Sequence, residues 1–290
     1  MSLYLRAARS LLNLMSIPLG LALRLRHSLQ YKMDLTEMYK PRPDDIFIAT
    51  FPKSGTTLMQ MMLYQLTSDG DMNIPHILGV SPWFEHEVMT RSSDRGLFDS
   101  LPSPRFFKTH YPYDNLPKNG RFIYIVRDVR DVALSSYHHF CMMTGVDQNR
   151  EKFINGFLRQ PMSWFKYQES WWPHRNDENV LFLTYEGIIQ DLEGTARKVA
   201  AFCGIPIDES SMPQIVERCS IGFMKQHWEK FDPRLRRISR SKTDFVRKGV
   251  AGAGRSEMTP AQEELTARRL KELASKLSCA PGEPYSKLFT

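Results

Sequence analysis

The segment IFIATFPKSGTTLMQMMLYQL, residues 46–66, joins two apolar runs through a short polar loop. Residues 46–51 form a nearly continuous apolar run of the length expected for a strand buried on both faces. The second run, from Leu58 to Leu66, carries its apolar residues at helical spacing. The segment therefore predicts a buried strand, a tight loop and a helix.

The loop itself, residues 52–57, is suited to binding an anion. In an open α/β sheet, a loop that leads from a strand into a helix presents backbone N–H groups at the positive end of the helix dipole. Gly55 permits close approach of the backbone, Lys53 supplies charge, and the neighbouring residues supply hydroxyl donors, namely Ser54, Thr56 and Thr57. In the nucleoside-triphosphate loop the lysine follows the last glycine, whereas here it precedes the glycine. The alternative is a Ser/Thr-capped helix start with an incidental lysine.

Three further apolar runs predict strands, at residues 105–108, 122–126 and 180–185. Helical patterns follow the last two, through Val132 to His138 and Ala196 to Phe202. Alternation of strands and helices predicts an α/β fold with one domain, built on a central, mostly parallel sheet flanked by helices. A last helix is predicted over about residues 260–277. Three intervening stretches are predicted to be rich in loops: residues 72–104, 141–179 and the basic segment 232–256.

The composition is that of a soluble globular domain, with 42% hydrophobic and 24% charged residues among 290. The net charge of +7 suits an anionic ligand or an acidic membrane surface, and solubility alone also accounts for it. The four cysteines are too scattered for a disulfide framework or a short-spaced zinc motif, and they favour a reducing compartment: Cys141, Cys203, Cys219 and Cys279.

The N-terminal segment, residues 1–40, is set apart from the predicted domain, residues 41–290. Residues 10–23 carry no charge and are flanked by arginines on both sides. This run is shorter than the roughly 20 residues that span a bilayer. Three alternatives remain: an interfacial helix kinked at Pro18, a segment packed on the domain, or a signal peptide, for which no clear cleavage site follows. We therefore expect a cytoplasmic protein, in which residues 1–30 either make peripheral membrane contact or pack on the domain, the two alternatives having about equal weight.

Five segments, in order along the chain, resemble the motifs of the cytosolic sulfotransferases. Thr50–Thr57 resembles the loop that holds the 5′-phosphosulfate. Lys108–Pro112 (KTHYP) resembles the strand end with the catalytic histidine, and Arg127–Tyr137 resembles the 3′-phosphate motif, with Arg and Ser eight residues apart. Leu183–Glu186 resembles the segment whose tyrosine lies near the adenine, and Arg247–Gly252 resembles the late loop that closes on the 3′-phosphate. The resemblance covers about residues 44–262.

The resemblance implies transfer of a sulfonate from 3′-phosphoadenosine 5′-phosphosulfate (PAPS) to a hydroxyl or amine of a small, apolar acceptor such as a phenol, sterol or lipid alcohol. It implies that His110 is the general base, with an imidazole that titrates near neutral pH, and that Lys53 and Lys108 stabilise the leaving phosphate and the moving sulfonate. No metal and no nucleic-acid partner are expected. The residues implied to bind PAPS, in a loop similar to a P-loop, are Lys53, Ser54, Gly55, Thr56, Thr57, Leu58, Arg127, Ser135, Tyr185, Arg247, Lys248 and Gly249.

The chain departs from the family pattern at the expected adenine contacts. Leu58 replaces the usual tryptophan, and Cys219 and Ile221 replace a threonine and an aromatic residue. Tyr185 is therefore expected to carry more of the adenine contact. Pro260 replaces a valine of the family's dimer segment, so the oligomeric state stays open. The expected acceptor pocket draws on aromatic segments: Trp83, Phe84, Trp164, Phe165, Tyr137, His138 and His139. Trp171 and Trp172 are expected in the core.

Three other functions fit parts of the pattern. A Golgi-type carbohydrate sulfotransferase would explain the apolar N-terminus, but the KTHYP segment is the mark of the soluble branch. A kinase or nucleotide hydrolase would share the strand–loop–helix unit, but the lysine is misplaced and no convincing Mg²⁺ motif follows. A non-catalytic binder of nucleotide or acidic lipid would have no need of His110.

Overall fold

The computed structural model describes residues 30–68, 70–90, 96–160, 163–231 and 252–278. Four strands form one parallel sheet in the order β2-β1-β3-β4. These are the four strands predicted from the sequence, and no end is shifted by more than one residue. Their bounds are β1 Ile46–Thr50, β2 Phe106–Thr109, β3 Arg121–Val126 and β4 Val180–Thr184.

The helices cover both faces of the sheet, and a further helical stretch over residues 30–38 precedes β1. Short 3₁₀ turns lie at Ile77–Gly79, Tyr113–Asn115, Trp172–His174 and Trp228–Lys230. The α-helices are α1 Thr56–Thr67, α2 Phe84–Thr90, α3 Leu97–Ser100, α4 Val129–Thr144, α5 Arg150–Arg159, α6 Trp164–Trp171, α7 Tyr185–Gln190, α8 Leu192–Cys203, α9 Met212–Arg218, α10 Ile221–Gln226, α11 Ala253–Ser256 and α12 Pro260–Lys276.

Two stretches predicted to be rich in loops contain helices instead. Helices α2 and α3 lie within residues 72–104, and α5 and α6 lie within residues 141–179. The reason is visible in α5, where Ile154, Phe157 and Leu158 are buried at helical spacing while most of the other residues are polar. Such short amphipathic patterns are easily hidden among loop residues.

The side chains of β1 alternate between two cores, one on each face of the sheet. Phe47 and Ala49 lie in an aromatic core, and Ile46 and Ile48 lie in an aliphatic core built largely on α1. The Phe47 ring contacts neighbouring rings of the aromatic core at centroid distances of 5.0–5.4 Å, among them that of Phe84. Burial of each such side chain stabilises the fold by about 1.5–3 kcal/mol relative to exposure. The two cores fix the sheet between its helical layers.

A buried ion pair anchors the start of β1. The Arg105 guanidinium donates from Nε to Asp45 Oδ1 at 2.6 Å and from Nη2 to Oδ2 at 2.7 Å. The Tyr39 hydroxyl, just after the helical stretch 30–38, also donates to Asp45. Loss of one partner from such a pair typically costs about 3–5 kcal/mol, because the other charge is left buried. The network therefore fixes the residues before β1 to the sheet.

The strand order determines where a ligand can bind. From β1 the chain runs to β2 on one side, and from β3 it runs to β4 on the other, so the connections diverge between β1 and β3. Ligands of open α/β sheets bind at such a point, beyond the carboxyl ends of the strands. The residues that follow the four strands here include Lys53, His110, Arg127 and Tyr185.

Two sets of sequence predictions fall outside the described residues. They concern the N-terminal segment up to residue 29 and the late-loop residues Arg247, Lys248 and Gly249. Within the described ranges, no helix has the length and apolarity needed to cross a membrane.

Candidate active site

The loop after β1 has two residues in the left-handed region, on either side of Ser54. Lys53 has φ 72° and Gly55 has φ 103°, and the Ser54 N–H donates to the Phe51 carbonyl at 3.2 Å. Gly55 is the N-cap of α1, it makes no side-chain capping bond, and the first turn carries no acidic residue. The alternative of a Ser/Thr-capped helix start is therefore wrong. A left-handed turn before an uncapped helix start is a typical anion site.

Tyr185, the first residue of α7, packs against this loop. A Cβ atom added to Gly55 would lie 2.7 Å from Tyr185 Cδ2, which is too close for any side chain at residue 55. The Arg127 guanidinium lies 4.2 Å from the centre of the Tyr185 ring and donates from Nη1 to the Lys53 carbonyl at 3.1 Å. The loop after β1 is thus in contact with the residues that follow β3 and β4.

Arg127 pairs with Asp131 and not with its sequence neighbour Asp128. Arg127 Nη2 lies 3.6 Å from Asp131 Oδ2, whereas Asp128 caps α4 by accepting the N–H of Arg130 at 2.7 Å. Arg127 Nε is buried with no hydrogen-bond partner within the described part of the chain. A buried donor without a protein acceptor is available to bind an anionic ligand.

The Asp131 carboxylate also holds the segment that follows the late loop. It accepts the N–H of Gly252 at 2.9 Å and that of Gly254 at 2.6 Å. A Cβ atom at Gly254 would lie 2.3 Å from the main chain of Arg130, so only glycine permits this packing of α11 on α4. Residue 252 is therefore fixed close to Arg127.

His110 follows β2 and is bound on two sides. Its N–H donates to Glu85 Oε1 at 2.7 Å, and its Nδ1 lies 2.8 Å from the Thr50 carbonyl oxygen. Because a carbonyl can only accept, Nδ1 carries the hydrogen and Nε2 keeps its lone pair. Burial, Lys108 and Lys53 lower the pKa of His110 to about 3, partly opposed by the Thr50 carbonyl. The expectation of an imidazole that titrates near neutral pH is thus not met, since burial and positive charge both disfavour the imidazolium.

Lys108 lies two residues before His110, with its ammonium nitrogen 4.5 Å from the centre of the Trp83 ring. Lys108 and Trp83 also pair as an isolated β-bridge, and the Lys108 N–H donates to the Pro82 carbonyl at 3.0 Å. Burial lowers the pKa of Lys108 to about 8, while the charge of Glu85 opposes this change. The lysine therefore stays mostly charged at neutral pH and loses its proton more readily than an exposed lysine.

These residues surround one cavity of about 760 Å³. Among the predicted site residues in the described part of the chain, Ser54 does not line this cavity. Its hydroxyl is buried and has no hydrogen-bond partner within that part. The predicted residues that line the cavity are Lys53, Gly55, Thr56, Thr57, Leu58, Lys108, His110, Arg127, Ser135 and Tyr185.

Only some of the residues expected to bind the acceptor line the cavity. Trp83 and His139 line the cavity, whereas Phe84, Trp164 and Phe165 are buried in the aromatic core. Tyr137 and His138 are outside the lining, and the Tyr137 hydroxyl donates to Asp147 at 3.0 Å. Trp171 and Trp172 are buried in the core, as predicted. Aromatic residues serve cores and pockets equally well, so composition alone did not separate the two.

Sequence reasoning missed several lining residues, including His76, Ile77, Leu78, Phe140, Met143, Phe153, Met224 and Phe231. Those on α4 had a usable signal. Ser135, Ser136, His139, Phe140 and Met143 all line the cavity, and their spacing places them on one helical face. This face extends about 12 Å, since each residue of a helix rises 1.5 Å.

The family match and the curated relatives define the class of protein. The family described as "Sulfotransferase domain" matches residues 43–278. Sulfotransferase 1C2 of Oryctolagus cuniculus is 32% identical over 265 residues, which cover 83% of this chain and 85% of that protein. Sulfotransferase 1E1 of Homo sapiens is 31% identical over 247 residues, with 80% and 84% covered. The chain belongs to the sulfotransferase family and is a PAPS-dependent sulfotransferase.

Solved structures agree with this assignment. Retinol dehydratase in complex with androsterone and the inactive cofactor PAP is similar with a TM-score of 0.71 and 25% identity, covering 88% of each chain. Mouse sulfotransferase SULT7A1 complexed with PAP is similar with a TM-score of 0.64 and 26% identity, covering 83% of this chain and 88% of that one. The α/β fold predicted from the sequence is confirmed.

Proposed function

We propose that this enzyme transfers the sulfonate of PAPS to the hydroxyl of a small, apolar acceptor, with Nε2 of His110 as the general base. The observation that carries the proposal is the arrangement around one cavity. His110, with its Nδ1 hydrogen committed to Thr50, lines the same space as Lys53, Lys108 and the uncapped start of α1. A base, two cations and an anion site are the parts that such a transfer needs.

The residues present fit a doubly phosphorylated nucleotide. The start of α1, with Lys53, Thr56 and Thr57, would hold the 5′-phosphosulfate, and Gly55 admits it because no side chain fills that position. Arg127 and Ser135 would hold the 3′-phosphate, for which the unpartnered Nε of Arg127 offers a donor. Arg247, Lys248 and Gly249, outside the described residues, are proposed to complete this end, and the attachment of Gly252 to Asp131 supports that role.

The adenine would be held by a mixed surface. Tyr185 lines the cavity against Gly55 and carries the Arg127 guanidinium on its face. Leu58 and Ile221 also line the cavity, so they offer aliphatic contacts where the family usually has aromatic ones. Cys219 is buried and lies outside the lining. We expect Tyr185 to supply the main ring contact.

When bound, PAPS supplies a sulfur centre whose bond to the phosphate oxygen is exchanged for a bond to the acceptor oxygen. His110 Nε2 takes the proton that the acceptor hydroxyl loses. The Thr50 carbonyl stabilises the resulting imidazolium by accepting a hydrogen bond from Nδ1–H. Lys108 balances the negative charge around the moving sulfonate, and Lys53 balances the charge left on the phosphate. Positioning and charge compensation by these residues account for the reaction.

The low pKa of His110 depends on burial and on the positive charges beside it. Lys108 and Lys53 contribute to it through their positive charge. Negative groups bound next to the two lysines offset that charge, so they raise the pKa of His110 back toward its ordinary range. His110 is therefore neutral at physiological pH and gains basicity when the anionic co-substrate is bound.

The lining of the cavity favours a neutral acceptor. Much of it is apolar, with Trp83, Phe140, Met143 and Phe153 among its residues, and the lining residues within the described chain include no aspartate or glutamate. A protonated amine would leave water for a largely apolar wall that offers it no carboxylate, which costs binding energy. A related structure holds androsterone and another holds retinol, both apolar alcohols. We propose phenols, sterols or lipid alcohols as the acceptors.

Transfer from radiolabelled PAPS to a matched set of phenols tests this function. 4-Ethylphenol is neutral, and tyramine carries the same ring with a cationic side chain. We expect kcat/KM at least about 10-fold higher for 4-ethylphenol, an advantage of about 1.4 kcal/mol. Equal values would refute the proposed acceptor class. Tight binding of PAP without transfer to any phenol, sterol or alcohol would refute the catalytic role and favour a non-catalytic binder.

We also propose that residues 1–30 contact a membrane surface while the protein stays in the cytoplasm. The uncharged run flanked by arginines supports this. Flotation with anionic lipid vesicles would compare the full chain with a variant lacking residues 1–30. Equal flotation of both proteins would contradict the proposal.

A further inference from the structure

Glu85 is a buried acid directly behind the proposed base. It lies in the first turn of α2, with 4% of its surface exposed, beside residues of the aromatic core. Its Oε1 accepts the N–H of His110 at 2.7 Å. A buried carboxylate costs considerable free energy unless hydrogen bonds or a counter-charge compensate it. Its position therefore requires hydrogen-bond donors, a counter-charge, or both.

The titratable groups that face Glu85 come from three other parts of the fold. The end of β2 contributes Lys108 and His110, followed by Tyr111, while the helical stretch 30–38 contributes Tyr31 and α6 contributes Tyr167. On α2 itself, His86 is exposed and pairs with Glu87 at 3.4 Å.

The three tyrosines stay neutral at physiological pH, which leaves Lys108 as the charged partner among these groups. Burial raises the pKa of Tyr31, Tyr111 and Tyr167, and the carboxylate of Glu85 adds to the rise. Burial also raises the pKa of Glu85, while the N–H of His110 opposes this change. The charge of Glu85 in turn favours the protonated form of Lys108. One carboxylate thus acts on both functional residues at the end of β2.

We propose that Glu85 is a positioning residue with two separable effects: it fixes the main chain of His110, and it keeps Lys108 protonated. The first effect depends on the reach of Oε1 to the His110 N–H, and the second depends on the negative charge. This inference rests on the proposed roles of His110 and Lys108, and it assigns Glu85 no contact with the substrates.

Two substitutions separate the effects. Glu85→Gln keeps an oxygen that reaches His110 but removes the charge, whereas Glu85→Asp keeps the charge but is too short to reach. Glu87→Gln, on the same helix and paired with His86, is the matched control. Circular dichroism melting would establish that each variant is folded.

The first readout is the pH profile of kcat/KM for PAPS, which reports the pKa values of the free enzyme. We expect the wild-type value to fall as the pH rises through about 8, where Lys108 loses its proton. In Glu85→Gln the fall moves to lower pH by about 1 unit, because a nearby opposite charge has been lost. In Glu85→Asp and Glu87→Gln the fall stays where it is in the wild type.

The second readout is hydrogen exchange of the His110 amide in the free protein, which requires no ligand. We expect faster exchange in Glu85→Asp than in Glu85→Gln or Glu87→Gln, together with a kcat about 10–100-fold lower, because a displaced base reacts poorly. An unmoved pH profile in Glu85→Gln, or equal exchange in all variants, would overturn the proposal. If the fall near pH 8 persists in Lys108→Met, it does not arise from Lys108, and the proposed function of Lys108 fails together with this inference.

Discussion

Replacement of Gly55 by alanine is expected to weaken nucleotide binding far more than it weakens the fold. Gly55 has φ 103°, in the left-handed region, where a residue with a side chain costs about 1–2 kcal/mol. The new Cβ would also lie 2.7 Å from Tyr185 Cδ2, whereas ordinary contacts begin near 3.4 Å. The Tyr185 ring must therefore retreat, and it carries the Arg127 guanidinium at 4.2 Å. One methyl group thus disturbs the 5′ end, the adenine surface and the 3′ end together.

Gly204→Ala is the matched control for this substitution. Gly204 has φ 69° after α8, and an added Cβ would meet nothing within 4 Å. Both variants should lose about 1–2 kcal/mol of unfolding free energy in urea, with an additional loss for Gly55→Ala. By calorimetry, Gly55→Ala should bind PAP about 10–100-fold more weakly, while Gly204→Ala binds it like the wild type. Wild-type affinity in Gly55→Ala would refute the role of this loop.

Three further predictions concern the charged groups of the site. Arg127→Met should bind PAP at least about 10-fold more weakly in calorimetry, since charge-assisted hydrogen bonds are lost; unchanged affinity would place the 3′-phosphate elsewhere. PAP affinity should decline as the pH rises through about 8, because Lys108 then loses its charge, and constant affinity up to pH 9 would contradict that pKa. Asp131→Asn should lower the unfolding free energy by about 1–3 kcal/mol, because the N–H groups of Gly252 and Gly254 lose a charged acceptor; an unchanged urea midpoint would argue against this anchor.

The strands and the anion loop could be predicted because their signals are local. A short apolar run with branched and aromatic residues predicts a buried strand whatever its neighbours are, and the sheet is buried on both faces. Gly55 marked a place where the backbone can be approached closely, and the structure adds that both Gly55 and Lys53 lie in the left-handed region. The strand ends moved by one residue because turn geometry, as at Phe51, decides where a ladder stops.

The lining proposed to hold the acceptor could not be predicted because it depends on packing between distant segments. Ile77 and Phe231 line the same space although 154 positions separate them in the chain. The aromatic residues predicted there were divided by tertiary structure, so that Trp83 faces the cavity and Phe84 faces the core. Glu85 gave no signal at all, since a single acid in an aromatic segment has no spacing that would mark it.

The pKa of His110 was the other point where sequence reasoning was wrong. A histidine has an ordinary pKa near 6.5, and the sequence contains no measure of how deeply the ring is buried. In the structure, burial and the charges of two lysines keep the ring neutral down to about pH 3. Each of these causes is a property of the assembled site.

The most direct test of the central claim is sulfonate transfer by His110→Gln with PAP binding measured on the same preparation. His138→Gln serves as the control, because His138 lies next to the cavity wall residue His139 without lining the cavity. Loss of the base should reduce kcat by about 10²–10⁴-fold while PAP affinity changes little, and the control should keep both. Transfer at the wild-type rate by His110→Gln, with PAP still bound, would show that another group takes the proton and would contradict the account.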